Sequence, residues 1–374
     1  MAVSDAPITT YSDTTAQKRA ISDLISLIDP YDTPFVSYFG LEGDAGAFRI
    51  VNWPSTKYEW LEDDLAALAS ALSGSITSNA TTITVDDASF FKPGHVLLVD
   101  AEYMWVSSAN TSTNVLTVTR NFGGTQATHA DAATVAIVSM ARAEGAETHD
   151  DYKTDITAPY NYTSIFHKGV KITRSARIVS QYGIADEWDY QIGKAIPELM
   201  RLVERSVFYG QRKSGSASAA RSFGGLKTFI TDNTSSLSGA ALSRKDIEDV
   251  VQSCFEDGGQ PDLIVCGPWV KRKISGFYES TVRTERSEDR GGVIINYIET
   301  EFGVLQVLMD RWCPATELFV LDSEHIGFLP YDPFFTEELA KTGDYIRGQV
   351  VGEYGFVVRH DKAHGYITSI STSS

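Results

Sequence analysis

Asp29-Pro30-Tyr31-Asp32-Thr33-Pro34-Phe35-Val36-Ser37-Tyr38-Phe39, followed by Lys57-Tyr58-Glu59-Trp60, decides how this chain is built. Before it, Ala16 to Ile28 sets Ile21, Leu24, Ile25 and Ile28 at helical spacing. Proline disfavours helix at the residue preceding it, so Asp29-Pro30 ends that helix. Thr33 to Phe39 then presents Phe35, Val36, Tyr38 and Phe39 in quick succession. A leading arm with one amphipathic helix has little core of its own. Its apolar side chains must be covered by something else, a neighbouring subunit among the choices.

The rest of the chain can supply a core. It has 374 residues, 43% hydrophobic, with 17 Tyr, 18 Phe and 6 Trp. That excludes a disordered polypeptide and suits two or three domains. No apolar run approaches the length of a membrane span, and Met-Ala-Val-Ser-Asp-Ala-Pro lacks the basic start and apolar run of a signal peptide. Cys254, Cys266 and Cys313 lie far apart and outside any C-x-x-C spacing, which reads as buried free thiols. The net charge is −17 with no basic stripe. Phosphate contacts dominate nucleic-acid affinity, so gripping a nucleic acid is not this chain's task. Like-charge repulsion suits a container that must not stick to DNA.

Outward from the opening stretch, Phe48 to Trp53 and Lys57 to Leu61 suit strands. From Ser73 to about Ser139 the composition turns to Thr, Ser, Asn and Val. Four short strands, 82–85, 95–99, 103–106 and 115–118, are separated there by Asp86-Asp87, Lys92-Pro93-Gly94, Asp100-Ala101-Glu102 and Asn110-Thr111-Ser112. That is a compact all-β module. Strand-like sequence resumes at Tyr160 to Phe166, so the module is an insertion at a hairpin tip. Asp186 to Arg212 reads as a long helix with Ile192, Ile196, Leu199, Met200, Val203 and Val207 on one face and Pro197 as a kink point. Residues 213–220 form a Ser/Ala/Gly link. Beyond it lies a mixed region: a helix opened by Ser243-Arg244-Lys245-Asp246, strand 263–266, a helix at 268–275, and strands at 293–298, 303–308 and 318–321. Strand 349–358, a turn at His360 to His364 and strand 366–370 close the chain as a hairpin.

Catalytic signatures are missing. There is no P-loop, strand-linked G-x-G-x-x-G, G-x-S-x-G elbow or His-Glu-x-x-His. His360 and His364 have a metal-ligand spacing, but at a turn they read as solvent-facing residues. Asp63/Asp64 and Asp150/Asp151 read as solvated neighbours, and the Asn-x-Ser/Thr triplets at Asn79, Asn110, Asn161 and Asn233 as turn and strand chemistry. No cofactor, metal or catalytic residue is expected.

Pro30-Tyr31-Asp32-Thr33-Pro34-Phe35, Lys57-Tyr58-Glu59-Trp60, Asp63-Asp64-Leu65-Ala66 and the later Gly224-Gly225-Leu226 resemble a family of tailed-phage major head proteins. Those proteins carry a D-P-x-x-T-P-F turn and then a K-x-E-W strand, on the Hong Kong ninety-seven-type fold. Within the insert, Arg120-Asn121-Phe122-Gly123-Gly124-Thr125-Gln126-Ala127-Thr128-His129-Ala130 resembles the R-G-x-x-G-T-x-A-x-x-H ending of a small β-barrel module of phage virion proteins, with Asn121 where glycine is common. His129 is expected there as a structural hydrogen-bonding residue, not a ligand.

The resemblance implies an α+β capsid fold. Residues 1–46 would be the N-terminal arm, 47–72 and 140–168 an extended loop, and 73–139 an inserted β-barrel domain. Residues 169–222 and 341–374 would form a peripheral domain, and 223–340 an axial domain. It implies a non-enzymatic major capsid protein of the virion, made in a host bacterial cytoplasm and self-assembling as hexamers and pentamers around double-stranded DNA that it does not bind specifically. Expected partners are a separate scaffolding protein, a portal and a decoration protein; no membrane is involved. Phe35, Tyr38, Phe39, Tyr58, Trp60, Tyr160 and Phe166 are the expected inter-subunit contacts. The rivals are an encapsulin-like nanocompartment shell and a phage tail or receptor-binding protein. The virion-type insert argues against the first, and the long helix and terminal hairpin against the second.

Overall fold

A computed structural model of the chain describes residues 30–41, 55–145, 153–179, 184–278 and 297–373. The helix expected at 16–28, the strand at 48–53, most of the strand at 293–298 and the Asp150/Asp151 pair lie outside the described residues. In chain order the elements begin with α1 (Pro34–Phe39) and β1 (Lys57–Glu59). Then come β2 (Ala69–Ala71), β3 (Thr82–Thr84), β4 (His95–Val99), β5 (Glu102–Asn110), β6 (Val115–Gly123) and β7 (Thr134–Met140). β8 (Tyr160–Tyr162), β9 (Ser164–Thr173), α2 (Arg174–Ile178), α3 (Glu187–Tyr209), α4 (Leu226–Phe229) and β10 (Thr234–Ser236) follow. The last are α5 (Arg244–Glu256), β11 (Leu263–Cys266), α6 (Pro268–Tyr278), β12 (Tyr297–Thr300), β13 (Gly303–Met309), β14 (Leu318–Leu321), β15 (Ile326–Leu339), β16 (Tyr345–Val358) and β17 (Gly365–Thr368). They fall into two units, residues 61–158 and the remainder.

Residues 61–158 form one six-stranded sheet in the order β2-β7-β4-β5-β6-β3. The sheet closes on itself where Leu72 bridges Val85, with Ser73 N–H donating to Thr84 O at 2.9 Å and Asp86 N–H to Ala71 O at 3.0 Å. Closure removes the free edges that would otherwise invite pairing. Period-two alternation fills the interior: Met104 and Val106 of β5 are buried while Tyr103 faces outward, and Leu97, Leu116 and Val135 join them. One polar cluster is buried beside this core. Arg120 donates to both oxygens of Glu102 at 2.6 Å each, and also to the carbonyls of Thr77, Ala80 and Ala127. His129 sets Nδ1 2.6 Å from Asp100 and Nε2 3.1 Å from Glu102. Burial works against the Glu102 charge, yet Arg120, the Ala127 amide and His129 hold its carboxyl down at about 2. Asn121 adopts φ +61, the left-handed region that asparagine tolerates and glycine prefers. Gly124 is also left-handed, and a Cβ there would meet the Ala101 carbonyl oxygen.

The larger unit is built on a mixed sheet, β10-β17-β14-β11-β13-β12, and a second sheet, β15-β16-β9. β11 reads Leu-Ile-Val-Cys because both its faces are covered. Ile264 and Cys266 meet α5 and α6 through Ile247, Val250, Val251, Val270 and Ile274. Leu263 and Val265 belong to the other core, with α1, α3 and the second sheet. α5 opens on the expected capping box: the Ser243 hydroxyl accepts from Asp246 N–H, and Asp246 accepts from Ser243 N–H at 2.8 Å. α3 is capped by Asp186, whose carboxylate accepts from Trp188 N–H, and runs through Pro197. Its buried face is Ala195, Leu199, Val203, Glu204, Val207 and Phe208, so Ile196, placed on the stripe by its spacing, is instead exposed.

Three expectations change here. β16 and β17 do not form a terminal hairpin: β16 pairs with β15 and β9, whereas β17 enters the mixed sheet between β14 and β10. His360, at φ +52, redirects the chain between them. His364 is fully buried and not solvent-facing. Its Nδ1 accepts from Asp322 N–H at 3.2 Å, and its Nε2 lies 3.0 Å from Arg359 O. That carbonyl can only accept, so the proton sits on Nε2. Burial drives its pKa down to about 3. The third change concerns β15, a strand that its local sequence pattern does not announce. It pairs with β16 across the 340/341 boundary drawn between peripheral and axial segments.

Candidate functional site

The opening stretch docks on α3. Pro34 starts α1 without needing an amide partner, and Glu204 takes up the next two donors. Its Oε1 accepts from Phe35 N–H and its Oε2 from Val36 N–H, each at 2.7 Å. Arg201 donates to Pro30 O at 3.3 Å, Trp312 Nε1 donates to Asp32 O at 2.9 Å, and Arg311 pairs with Asp32 at 3.4 Å. The guanidiniums of Arg201 and Arg205 lie 5.6 and 6.0 Å from the Trp312 ring centroid. Phe35 sits among Phe39, Phe208, Phe328 and Phe356, with ring centroids 4.6 to 6.2 Å away. So the D-P-x-x-T-P-F turn is held by backbone capture on one side and aromatic packing on the other.

The K-x-E-W strand reaches the same place. β1 pairs antiparallel with β8. Tyr58 sends its hydroxyl inward, donating to Phe356 O at 2.8 Å and accepting from Phe356 N–H at 2.7 Å. Burial pushes this phenol above its usual range. Asn161, fully buried, donates to Phe356 O and Gly224 O and accepts from Gly224 N–H. Gly225 is glycine because a Cβ would meet the Val207 carbonyl oxygen. Two motifs, through Phe35 and Tyr58, therefore meet at Phe356 of β16, and Asn161 ties Gly224 of the third to the same residue. Tyr58→Phe is expected to strand the Phe356 amide in the core and cost about 1–3 kcal/mol, read as a lower urea midpoint for the full chain.

The seven expected contact residues divide. Phe35, Phe39, Tyr58, Trp60 and Phe166 are buried within their own unit, at 0, 3, 1, 6 and 9% exposure. Each packs in one of the cores of that unit. Tyr38 and Tyr160 remain half-exposed. Tyr38 lines a groove of about 880 Å³ with Leu41, Ile196, Met200, Pro333 and Phe334. Tyr160 carries the Lys57 ammonium and Arg212 guanidinium 4.3 and 4.4 Å from its ring centroid. Glu204, Asp310, Trp312, Asn161 and Phe356 escaped the sequence reading. Only Glu204 gave a signal: it lies on α3's apolar stripe between Val203 and Val207, where a charge needs a partner.

Glu204 and Asp310 are both fully buried, and both carboxyls are raised, chiefly by loss of solvent. Burial also raises the thiols of Cys254 and Cys266, each to about 12, and that of Cys313. Thiols so raised are poor nucleophiles. Asp63 accepts from the exposed Thr154 hydroxyl at 3.2 Å. Among the described residues no group of three or more His, Cys, Asp or Glu could hold a metal ion, and no helix is long and apolar enough to cross a membrane.

The fold has close counterparts. The cyanophage A-1(L) capsid asymmetric unit superposes with a TM-score of 0.63 at 11% identity, covering 97% of this chain and 100% of that one. Mycobacterium phage Bobi gives 0.52 at 11% identity, covering 97% and 99%. These likenesses establish the Hong Kong ninety-seven-type α+β fold. The major capsid protein of Escherichia phage Phieco32 is 21% identical over 282 residues, 61% of this chain and 80% of that protein. The SU10 major capsid protein model matches residues 8–371, nearly the whole length, and the chain belongs to that family of tailed-phage shell subunits.

Proposed function

We propose that this major capsid protein builds the phage head by geometry alone, without catalysis, through copies gathered as hexamers and pentamers. The exposed apolar surface carries this reading. Leu61, Leu65 and Leu68 are 73, 97 and 69% exposed, and Ile178 and Val179 are 73 and 64% exposed. Surface of that kind marks a protein whose partners cover it. In this reading Tyr38, at the groove beside α1, and Tyr160 are contact residues between copies. Residues 1–46 form the arm, and the segments flanking the barrel form the extended loop. The sheet of β9, β15 and β16 with α3 belongs to the peripheral domain, and the mixed sheet with α5 and α6 to the axial domain. A separate scaffolding protein, a portal and a decoration protein are the further partners. The genome lies inside without specific contacts, consistent with a net charge of −17. Synthesis takes place in the host bacterial cytoplasm.

The barrel unit is proposed to lie on the outer surface of the shell. A peptide epitope placed in the exposed Thr111–Thr113 turn between β5 and β6 tests this. Antibody should bind intact particles. Binding only after particles are disrupted would contradict the external placement.

A further inference from the structure

We propose that Glu204 and Asp310 hold one proton between them, and that its loss to water releases the anchor of the arm. The proposal rests on reading residues 30–39 as the base of that arm. Both side chains are fully buried. The two oxygens of Glu204 receive the amides of Phe35 and Val36. Asp310 Oδ1 accepts from Trp312 N–H at 2.7 Å, while its Oδ2 is buried and receives no donor if both carboxyls are ionised. A proton on Glu204 supplies that donor, since the Asp310–Trp312 turn lies against α3 where Arg201 and Arg205, flanking Glu204, reach the Trp312 ring. Two buried anions facing each other without a cation cannot both persist.

Among the described residues the surroundings offer no such cation. Arg201 and Arg205 lie over Trp312, and Arg311 is paired with Asp32, whose charge further raises Asp310. From β11 and the 310–313 turn come the thiols of Cys266 and Cys313, both raised by burial. Lys271 reaches Val307 O, and Lys227 is paired with Glu317. Among the described residues neither carboxyl has a Lys, Arg or His ion-pair partner. Burial, then Asp310, pushes Glu204 up to about 9. A carboxyl raised on folding gives stability that is complete below its unfolded value, near 4.5, and fades as pH climbs through the folded value. The anchor therefore loosens with alkali and tightens with acid.

Hydrogen exchange at the Phe35 and Val36 amides of the full chain tests this, corrected for intrinsic exchange chemistry. Between about pH 6 and about pH 8 the opening constant should rise roughly tenfold per pH unit, the slope for one proton released. Asp310→Asn can donate an amide hydrogen to an ionised Glu204, so its protection should not vary with pH. Glu204→Gln loses one acceptor and should show weaker, equally flat protection. A flat wild-type profile, or Asp310→Asn keeping the wild-type slope, would overturn the proposal. Electron microscopy of the same samples is scored separately. Intact shells with a flat slope sink only the shared proton, whereas a tenfold slope without shells sinks the arm reading and leaves the proton pair standing.

Discussion

Arg120→Ala is expected to unfold the barrel unit and leave the larger unit standing. Arg120 neutralises Glu102 through two parallel hydrogen bonds, and the Glu102 side chain is itself fully buried. Removing it leaves an uncompensated interior carboxylate and frees the carbonyls of Thr77, Ala80 and Ala127 that it gathered. Breaking a buried pair from one side costs about 3–5 kcal/mol. In a unit of this size that lowers the melting temperature by roughly 15 °C or more. Scanning calorimetry should show one transition moving down and the other in place; equal shifts of both would count against two separately cored units. The wild-type barrel has its own pH signature. Glu102 is depressed on folding to about 2, so its contribution is complete above its ordinary value near 4.5 and is lost as pH falls through 2. Acid weakens the barrel, whereas alkali weakens the arm anchor.

Phe35→Ala should be the most damaging single change in the larger unit. Phe35 is fully buried, and its four ring partners come from α1, α3, β15 and β16. Truncation opens a cavity where these elements meet, at a cost of about 3–5 kcal/mol. The backbone amide of residue 35 still reaches Glu204, so the loss is one of packing and not of capture. Urea denaturation should show the lower midpoint. If Phe35 were instead an inter-subunit contact, the isolated subunit would be as stable as wild type and only assembly would suffer.

That contrast shows what the residues alone could convey. Elements specified by local pattern were legible: β3 to β6 of the barrel by alternation and turns, though not β2 or β7, α5 by its capping box, β11 by four consecutive apolar residues. β15 was not, because proline inside a run argues against a strand and this one holds Pro330 and Pro333. In the fold they sit at an edge strand, beside register shifts at Pro330/Asp332 and Asp332/Phe335. The sheet joined by β17 was not legible either, since its partners lie at 234–236 and 318–320, far from a turn that looks like a hairpin. The apolar run at 33–39 asks for cover by its composition, and nothing local tells that α3 and β16 of the same chain pack on it. Buried polar staples such as Asn161 are invisible locally, because their partners lie 63 and 195 positions away. The exposed leucines 61, 65 and 68, by contrast, keep the surface that Phe35 and Trp60 do not.

The most direct test is negative-stain electron microscopy, with sedimentation velocity, of the purified full-length chain over a range of concentrations. The account predicts closed shells of many copies in equilibrium with small capsomer-like clusters. A compact single molecule or a discrete trimer at every concentration, with Leu65 and its neighbours still open to solvent, would contradict it.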